Sequence, residues 1–345
     1  MMHSRDVLGF LLVASLGACT GTGGTNGDAG ASGVDSATRA DAASDARVAT
    51  DGGHDLVIGP TYVPAPEVAV VASVPHGTVE ETTLSSSASA IYPLDIVTSQ
   101  PFDRAVSVYV PAQYVAGTAA PFIVVQDGIS FYRDTMVPVL DNMIAQRRLP
   151  AMIAIFVEPG PNEDTPLGER SHEYDTVSDD YVRFVETELL PMLESLYGFT
   201  LTTDPEGRAA MGGSSGGAAA FTMGWMRPDL YHRILTYSGS FCDLQPTAAH
   251  PLGAWEYHDT LIAAGPVLPL RVALEVGEND LNWNTDTDMH RDWQTANRAM
   301  ASALAARGYA YRFVYALGAD HIDMGVLQQT LPETLAWLWE GYPIP

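Results

Sequence analysis

Two short, continuously apolar runs constrain the fold of this chain more than any other feature of its sequence. They read FIVV at 122–125 and MIAIF at 152–156. A strand that is apolar on both faces is buried on both faces, and such strands are typical of parallel sheets covered by helices. Similar apolar runs recur along the chain. The predicted strands are Ala105–Pro111, Pro121–Gln126, Ala151–Val157, Arg208–Met211, Ile234–Tyr237, Arg271–Val276 and Tyr311–Ala316.

Helical stretches lie between these predicted strands. In the first of them, Tyr181, Phe184, Val185 and Leu189 recur at helical spacing. The alternation of strand and helix predicts an α/β fold with a mostly parallel central sheet and helices on both faces. No internal repeat and no break in composition follow residue 57, so residues 58–345 are predicted to form one domain. The predicted helices are Val177–Leu196, Gly216–Met226, Arg291–Arg307 and Leu331–Trp339.

The N-terminus has the pattern of an export signal, predicted over residues 1–18. Arg5 precedes an apolar run, Val7–Leu16, which is too short to span a bilayer as a helix. The run ends in LGAC at 16–19, which resembles a bacterial lipobox, so Cys19 is predicted to be acylated. The alternative is an ordinary secretory signal cleaved near Ala18. We therefore expect an exported lipoprotein, anchored at the periplasmic or cell-surface side of a membrane, or otherwise a secreted protein.

Residues 19–57 are predicted to form a disordered linker. They are rich in Gly, Ala, Ser, Thr and Asp and contain almost no large apolar side chain, so they cannot bury enough surface to fold. Excess aspartate favours an extended tether between membrane and domain. Prolines at 60, 64, 66 and 75 indicate an extended segment at the start of the domain.

Charge excludes several functional classes. The chain has 17 basic and 42 acidic residues, a net charge of −25, and every basic residue is arginine. Without lysine there is no Schiff base and no P-loop, and so acidic a chain is not a nucleic-acid binder. With Cys19 acylated, Cys242 is the only remaining thiol, so we expect neither a disulfide framework nor a cysteine metal site.

One glycine-rich motif, GGSSGG at 212–217, carries the predicted chemistry. It lies between a predicted strand and a predicted helix, the context in which G-x-S-x-G forms a nucleophile elbow. Small flanking residues let strand and helix approach, and the helix N-terminus offers N–H groups to a developing oxyanion. Ser214 and Ser215 both fit. Ser214 is favoured because the alternative requires the strand to continue through Gly212.

A nucleophilic serine needs a base and an acid, expected after it in the order acid, then histidine. Only His321 directly follows the last predicted strand. For the acid we favour Asp280, at the end of an earlier strand, over the nearby candidates. The oxyanion donors are predicted to be the N–H groups of Ser215 and of Ile129, which follows Gly128 after a buried strand. The acids judged less suitable are Glu278, Asp286, Asp288 and Asp320.

With these residues in place, the chain resembles the esterase family that includes enterochelin esterases and esterase D, within the α/β-hydrolase fold. The resemblance covers residues 74 to the C-terminus and implies a Ser-Asp-His hydrolase of carboxylic esters with Ser214, Asp280 and His321 in those roles. The loop before His321 reads GAD, where the family usually has a glycine-rich turn. The segments that carry the resemblance are PHGTV at 75–79, VYVPAQY at 108–114, VQDG at 125–128, RSHEYD at 170–175, ELLP at 188–191, the elbow, GEND at 277–280 and WLW at 337–339.

Other side chains are candidates for substrate binding. Arg170, Glu173 and Tyr174 match the family motif and either line the site or form a structural Arg–Glu pair that supports the elbow. Trp255 and Trp283, with Tyr257 nearby, lie in late loops where they either stack on a sugar or aryl group or pack as ordinary loop residues.

No metal or cofactor is predicted. The alternating acids and asparagines at 280–288 resemble a calcium loop, but an EF-hand needs a glycine and a glutamate where this chain has Thr285 and Arg291.

The sequence thus predicts a serine esterase acting through an acyl-enzyme on a small-molecule or saccharide ester. A neutral exported or extracellular substrate, such as an acylated or feruloylated saccharide, suits the acidic domain. The alternatives are a siderophore esterase of the enterochelin type or an acyltransferase with the same triad. A different class is a noncatalytic surface lipoprotein. No oligomeric state is predicted.

Overall fold

The computed structural model describes residues 55–161 and 168–344. The predicted signal peptide, Cys19 and most of the predicted linker lie outside the described residues. All seven predicted strands are present, each within two residues of its predicted bounds, and further strands lie at the sheet edges. The strands are β1 (Asp55–Ile58), β2 (Thr78–Ser85), β3 (Asp103–Val110), β4 (Ala119–Ala120), β5 (Phe122–Gln126), β6 (Ile153–Val157), β7 (Thr200–Leu201), β8 (Arg208–Gly213), β9 (Arg233–Tyr237), β10 (Arg271–Gly277) and β11 (Ala310–Ala316).

Nine of these strands form one mostly parallel sheet in the order β1-β11-β10-β9-β8-β5-β6-β3-β2. Among its described strands, β3 alone runs opposite to the rest, since it pairs antiparallel with both β2 and β6. β4 and β7 form a separate two-stranded sheet. β1 pairs with β11 and includes Asp55, Leu56 and Val57, which the composition had placed in the linker. Residues 55–57 therefore belong to the sheet rather than to the predicted linker.

Helices cover both faces of the sheet. The predicted first helix is a continuous run from Asp180 to Tyr197 that contains a π-helical turn, Val185–Leu189. The last helix begins at Met324, seven residues before its predicted start, because the Asp323 carboxylate accepts the N–H groups of Gly325 and Val326 and caps it. The helices are α1 (Arg133–Ala145), α2 (Glu169–Tyr174), α3 (Asp180–Phe184), α4 (Leu190–Tyr197), α5 (Ser215–Met226), α6 (Ile262–Ala264), α7 (Trp293–Arg307) and α8 (Met324–Leu338).

The central strands divide the core into two layers, as their double-sided apolar pattern predicts. In β5, Phe122 and Val124 pack into one layer while Ile123 and Val125 pack into the other. The first layer contains buried residues of α3, α4, α5 and α7, and the second contains those of α1 and α8. No helix in the described part of the chain is long and apolar enough to cross a membrane.

The parallel arrangement brings functional candidates to one edge of the sheet. Six adjacent strands, in the order β6, β5, β8, β9, β10 and β11, end at this edge, and each is followed by a loop that contains polar residues. Ligands of open α/β sheets bind outside the carboxyl ends of the strands. The loops that begin at residues 127, 158, 214, 238, 278 and 317 therefore define the region in which a site is expected.

Candidate active site

Ser214 occupies a strained turn between β8 and α5. Its backbone has φ 54° and ψ −129°, a conformation that non-glycine residues adopt only where the surrounding structure enforces it. A Cβ on Gly212 would collide with the carbonyl of Gly216, so strand and helix can be this close only because residue 212 is glycine. The turn has the backbone form of a nucleophile elbow.

The two serines of the motif differ in environment. Ser214 is half-buried, and its Oγ lies 3.3 Å from the Oγ of Ser240. Ser215 is 4% exposed, so its side chain is buried. Ser214 was favoured because the alternative would require the strand to continue through Gly212. β8 does continue through Gly212 to Gly213, so that argument was wrong. The strained backbone of Ser214 and the burial of Ser215 now distinguish the two.

His321 and Asp280 lie in contact. His321 Nδ1 is 2.6 Å from Asp280 Oδ1, which also accepts the N–H of Leu281 at 2.7 Å. The Asp280 side chain is fully buried, whereas the imidazole is one-fifth exposed. Of the candidate acids, Glu278 instead accepts the N–H of Gly318. The aspartates at 286 and 320 are exposed, and the one at 288 pairs with Arg291.

The elbow and the histidine loop meet. A Cβ on Gly213 would lie 2.9 Å from the Cδ1 of Ile322, the residue that follows His321. Trp293 of α7 connects the histidine loop with the loop after β9: its indole N–H donates to Ser240 Oγ at 2.9 Å, and its ring lies edge-on to the His321 ring at 5.9 Å. The structure thus brings the elbow and the His–Asp pair to the same part of the sheet edge, where the side-chain hydrogen bond of Ser214 Oγ is the one with Ser240 rather than with His321.

The predicted oxyanion donor Ile129 is already engaged. Its N–H donates to Glu158 Oε1 at 2.8 Å, as does the N–H of Ser130, and the Ser130 hydroxyl donates to Glu158 Oε2 at 3.0 Å. These N–H groups belong to the first turn of the π-helical segment Gly128–Tyr132, where they lack helical partners. The N–H of Ile129, predicted as an oxyanion donor, therefore already has a carboxylate partner in the structure. Ser215 is the first residue of α5, where an N–H points outward.

Arg170 and Glu173 do not pair with each other, which corrects the structural alternative. Arg170 forms a two-bond fork with Asp127, at 2.9 and 2.8 Å. Glu173 forms a buried fork with Arg104 of β3, at 2.6 and 2.8 Å. Because Asp127 has φ 53° and begins the loop after β5, Arg170 fixes the conformation of the predicted oxyanion loop.

The aromatic candidates separate into three environments. Trp283 is 48% exposed and lies edge-on to Trp293, so it faces solvent beside the site. Trp255 packs against His258 and His290. Tyr174 and Tyr257 are buried and belong to the core. Among these four candidates, only Trp283 offers a large exposed aromatic face.

One group of side chains within the described residues could hold a cation. Possible ligand atoms of Asp243, Asp288 and His290 all lie within 4.8 Å of one another. Arg291 Nε already lies 2.9 Å from Asp288 Oδ2 and compensates its charge. Asp280, the first acid of the calcium-like pattern, is turned away toward His321.

Asp175 is a buried acid directly behind the elbow. Burial raises its pKa to about 6, although the hydrogen bond from Ser171 and the charge of Arg170 oppose the shift. An aspartate whose pKa is higher in the folded than in the unfolded state stabilises the fold most at low pH. That contribution is lost as pH rises from about 4 through about 6.

We expect Asp175→Asn to flatten the dependence of stability on pH. Two pKa units correspond to about 3 kcal/mol. From pH 5 to pH 8, the free energy of unfolding of the wild type should therefore fall by about 1–3 kcal/mol more than that of the variant. Urea denaturation at both pH values measures this. Asp180→Asn, at a half-exposed aspartate of α3, serves as the control. Equal slopes in wild type and Asp175→Asn would contradict the raised pKa.

The fold and site define a protein of the α/β-hydrolase class: a mostly parallel sheet, an elbow serine and a His–Asp pair on its carboxyl edge. Residues 99–338 match the Esterase family, described as "Putative esterase", and the chain belongs to this family. A search of curated proteins finds no match.

Solved structures with this fold include two kinds of esterase. An enterobactin esterase from Shigella flexneri, solved in the presence of enterobactin, is 20% identical, with a TM-score of 0.58 over 80% of this chain and 62% of that chain. A CE1 ferulic acid esterase from the anaerobic fungus Anaeromyces mucronatus is 15% identical, with a TM-score of 0.56 over 81% of this chain and 96% of that chain. The chain spans about three fifths of the length of the enterobactin esterases it resembles. Similarity at this identity establishes the fold.

Proposed function

We propose that this protein is a serine esterase that hydrolyses carboxylic esters through Ser214, His321 and Asp280. The observation that carries the proposal is the 2.6 Å contact between His321 Nδ1 and the buried Asp280 carboxylate, beside a serine in a strained elbow. A buried carboxylate fixes the imidazole tautomer, leaving Nε2 as the base. Family membership supports the same chemistry.

The reaction proceeds in two acyl transfers. His321 Nε2 takes the Ser214 proton as Oγ bonds to the ester carbonyl carbon, and the protonated imidazole then gives that proton to the departing alcohol. Asp280 stabilises the imidazolium throughout. His321 then deprotonates a water molecule as it attacks the acyl carbon. The bond from that carbon to Ser214 Oγ breaks, His321 returns the proton to Oγ, and the carboxylic acid is released.

The oxyanion is held by the N–H of Ser215 and by the loop at Gly128 and Ile129. Since Glu158 occupies the Ile129 N–H, that carboxylate must leave when the carbonyl oxygen arrives. The two anions compete for one donor and repel each other.

We therefore expect Glu158→Gln, which removes the charge, to increase the rate of fluorophosphonate labelling and kcat/KM, each by about three- to tenfold. Ser130→Ala is the control, because it removes the hydroxyl that binds Glu158 Oε2 and leaves the Ile129 contact in place. A slower reaction in Glu158→Gln would mean that Glu158 supports the loop and that Gly128 supplies the N–H donor.

A neutral ester is the best-supported substrate class. Most of the net charge, about −21 of −25, lies in residues 58–345. Two arginines in the loops of this edge, Arg170 and Arg291, are already paired with carboxylates. An acylated or feruloylated saccharide, with its aryl or sugar group against Trp283, fits these features better than an anionic ferric siderophore.

A panel of esters tests both the activity and the substrate class. Residues 55–345 are assayed against acetyl, feruloyl, longer acyl and siderophore-type esters, with and without an alcohol acceptor. Preferred cleavage of neutral esters to free acid is expected. Transfer of the acyl group to the alcohol would make the protein an acyltransferase, preference for the siderophore-type ester would overturn the neutral class, and no turnover would favour a noncatalytic lipoprotein.

We also propose that the domain is exported and anchored through acylated Cys19, which the sequence pattern supports. Incorporation of a labelled fatty acid by the full chain in a bacterial host is the expected result. Release of unlabelled protein into the soluble fraction would instead indicate a cleaved secretory signal.

A further inference from the structure

A second hydroxyl, that of Ser240, lies beside the candidate nucleophile. Ser240 is fully buried, and its Oγ is 3.3 Å from Ser214 Oγ and 2.9 Å from the indole nitrogen of Trp293. Its backbone N–H also donates to the Ser214 carbonyl at 2.9 Å. Ser240 thus contacts Ser214 through both main chain and side chain.

The direction of these hydrogen bonds follows from the chemistry of the groups. An indole N–H can only donate, so Ser240 Oγ accepts from Trp293. The hydroxyl proton of Ser240 then needs an acceptor, and within the described residues the remaining side-chain partner of Oγ is Ser214. If Ser214 donated instead, the Ser240 proton would be buried without that partner, which costs about 1–3 kcal/mol.

We propose that Ser240 is a positioning residue that donates its hydroxyl proton to Ser214 Oγ, with its direction set by Trp293. The inference rests on the proposed function, because it assigns a role relative to Ser214 as nucleophile. When Ser240 donates, the proton of Ser214 points away from it and remains available to His321. As Ser214 loses that proton, the charge that grows on Oγ strengthens the bond from Ser240.

Helix α7 holds this arrangement in place. Trp293 and Asn297 lie one helical turn apart, and both are buried. Trp293 binds the Ser240 hydroxyl, while the Asn297 side-chain amide donates to the carbonyl of Gly239 at 2.8 Å. One helix therefore fixes both the main chain and the side chain next to Ser214.

A role in the chemical step predicts an effect on kcat rather than KM. We expect Ser240→Ala to lower kcat about tenfold to hundredfold with KM unchanged, and to slow fluorophosphonate labelling of Ser214 by a similar factor. Thr222→Val is the matched control, since it also removes a buried hydroxyl bond, the 2.8 Å contact with Tyr257, from helix α5. The control should lower the thermal midpoint and leave kcat unchanged.

Trp293→Phe tests whether Trp293 sets the direction of the hydrogen bond between Ser240 and Ser214. The variant removes the indole N–H, so Ser240 can also accept from Ser214, and kcat should fall severalfold. If Trp293 acts through Ser240, the double variant should be no slower than Ser240→Ala alone. Additive losses would mean that Trp293 acts by packing on His321 instead.

The possible outcomes separate this inference from the proposed function. If the wild type is labelled at Ser214 and Ser240→Ala is labelled at the same rate, the inference is overturned and the esterase proposal is unaffected. A loss confined to KM also overturns it. Absence of labelling in the wild type contradicts the esterase proposal itself. If Ser240→Ala does not fold, Trp293→Phe alone decides, and an unchanged kcat in that variant overturns the inference.

Discussion

Ser214→Ala is expected to abolish turnover of short aryl esters and labelling by a serine-directed fluorophosphonate. Without the hydroxyl no acyl-enzyme can form, and the loss of a nucleophile in a serine triad reduces kcat by about 10⁶-fold. The folded structure should persist, because the substitution removes only an oxygen whose side-chain contact is the 3.3 Å one with Ser240. Steady-state rates, intact-protein mass and a thermal unfolding curve measure these three quantities.

Ser215→Ala is the matched control, one residue along the same motif. Its hydroxyl is buried and has no part in the proposed mechanism, so this variant should keep both labelling and turnover. The reverse pattern, with activity lost only in Ser215→Ala, would assign the nucleophile to the other register. Full activity in both variants would refute the serine hydrolase mechanism.

Asp280→Asn is expected to have the second largest effect, a loss of about 10⁴-fold in kcat with little change in KM. The amide matches the carboxylate in shape, but it carries no charge to stabilise the imidazolium and can hold His321 in the wrong tautomer. The loss should appear in the labelling rate as well, since both reactions require the Ser214 proton to leave.

The control for Asp280 is Glu278→Gln, two residues earlier in the same loop. Glu278 accepts the Gly318 N–H in the loop that leads to His321, and a glutamine oxygen can accept the same bond. Activity within about threefold of wild type is expected. A large loss in Glu278→Gln together with an active Asp280→Asn would reassign the acid.

Periodicity and position were sufficient to predict the central sheet, the elbow and the His–Asp pair. Each of these is a local pattern: an apolar run, a glycine-rich turn, or a polar residue directly after a strand. The strand β2 was missed because its sequence, TVEETTLS, is mostly polar and exposed at a sheet edge. Helix α1 was missed because Pro138 lies inside it.

The ion pairs and long-range hydrogen bonds around the site could not be predicted in the same way. They join residues of different strands, helices and loops: Arg170 with Asp127, Arg104 with Glu173, and Glu158 with the N–H of Ile129. Such contacts depend on which strands are neighbours, and the sequence does not state the order of strands. The match of Arg170–Tyr174 to a family motif indicated that these residues matter but not which partners they have.

The strand order also has a consequence for how the protein acquires its site during folding. β5 and β8 are adjacent in the sheet yet far apart in sequence, with β6, α2, α3 and α4 between them. Closing such a loop costs entropy before any packing is gained, so this pairing is among the slow steps of folding. Ser214 follows one of these strands and the oxyanion loop follows the other. Nascent or partly folded chains therefore contain the individual residues of the site without its geometry. The site can form only after β5 has paired with β8.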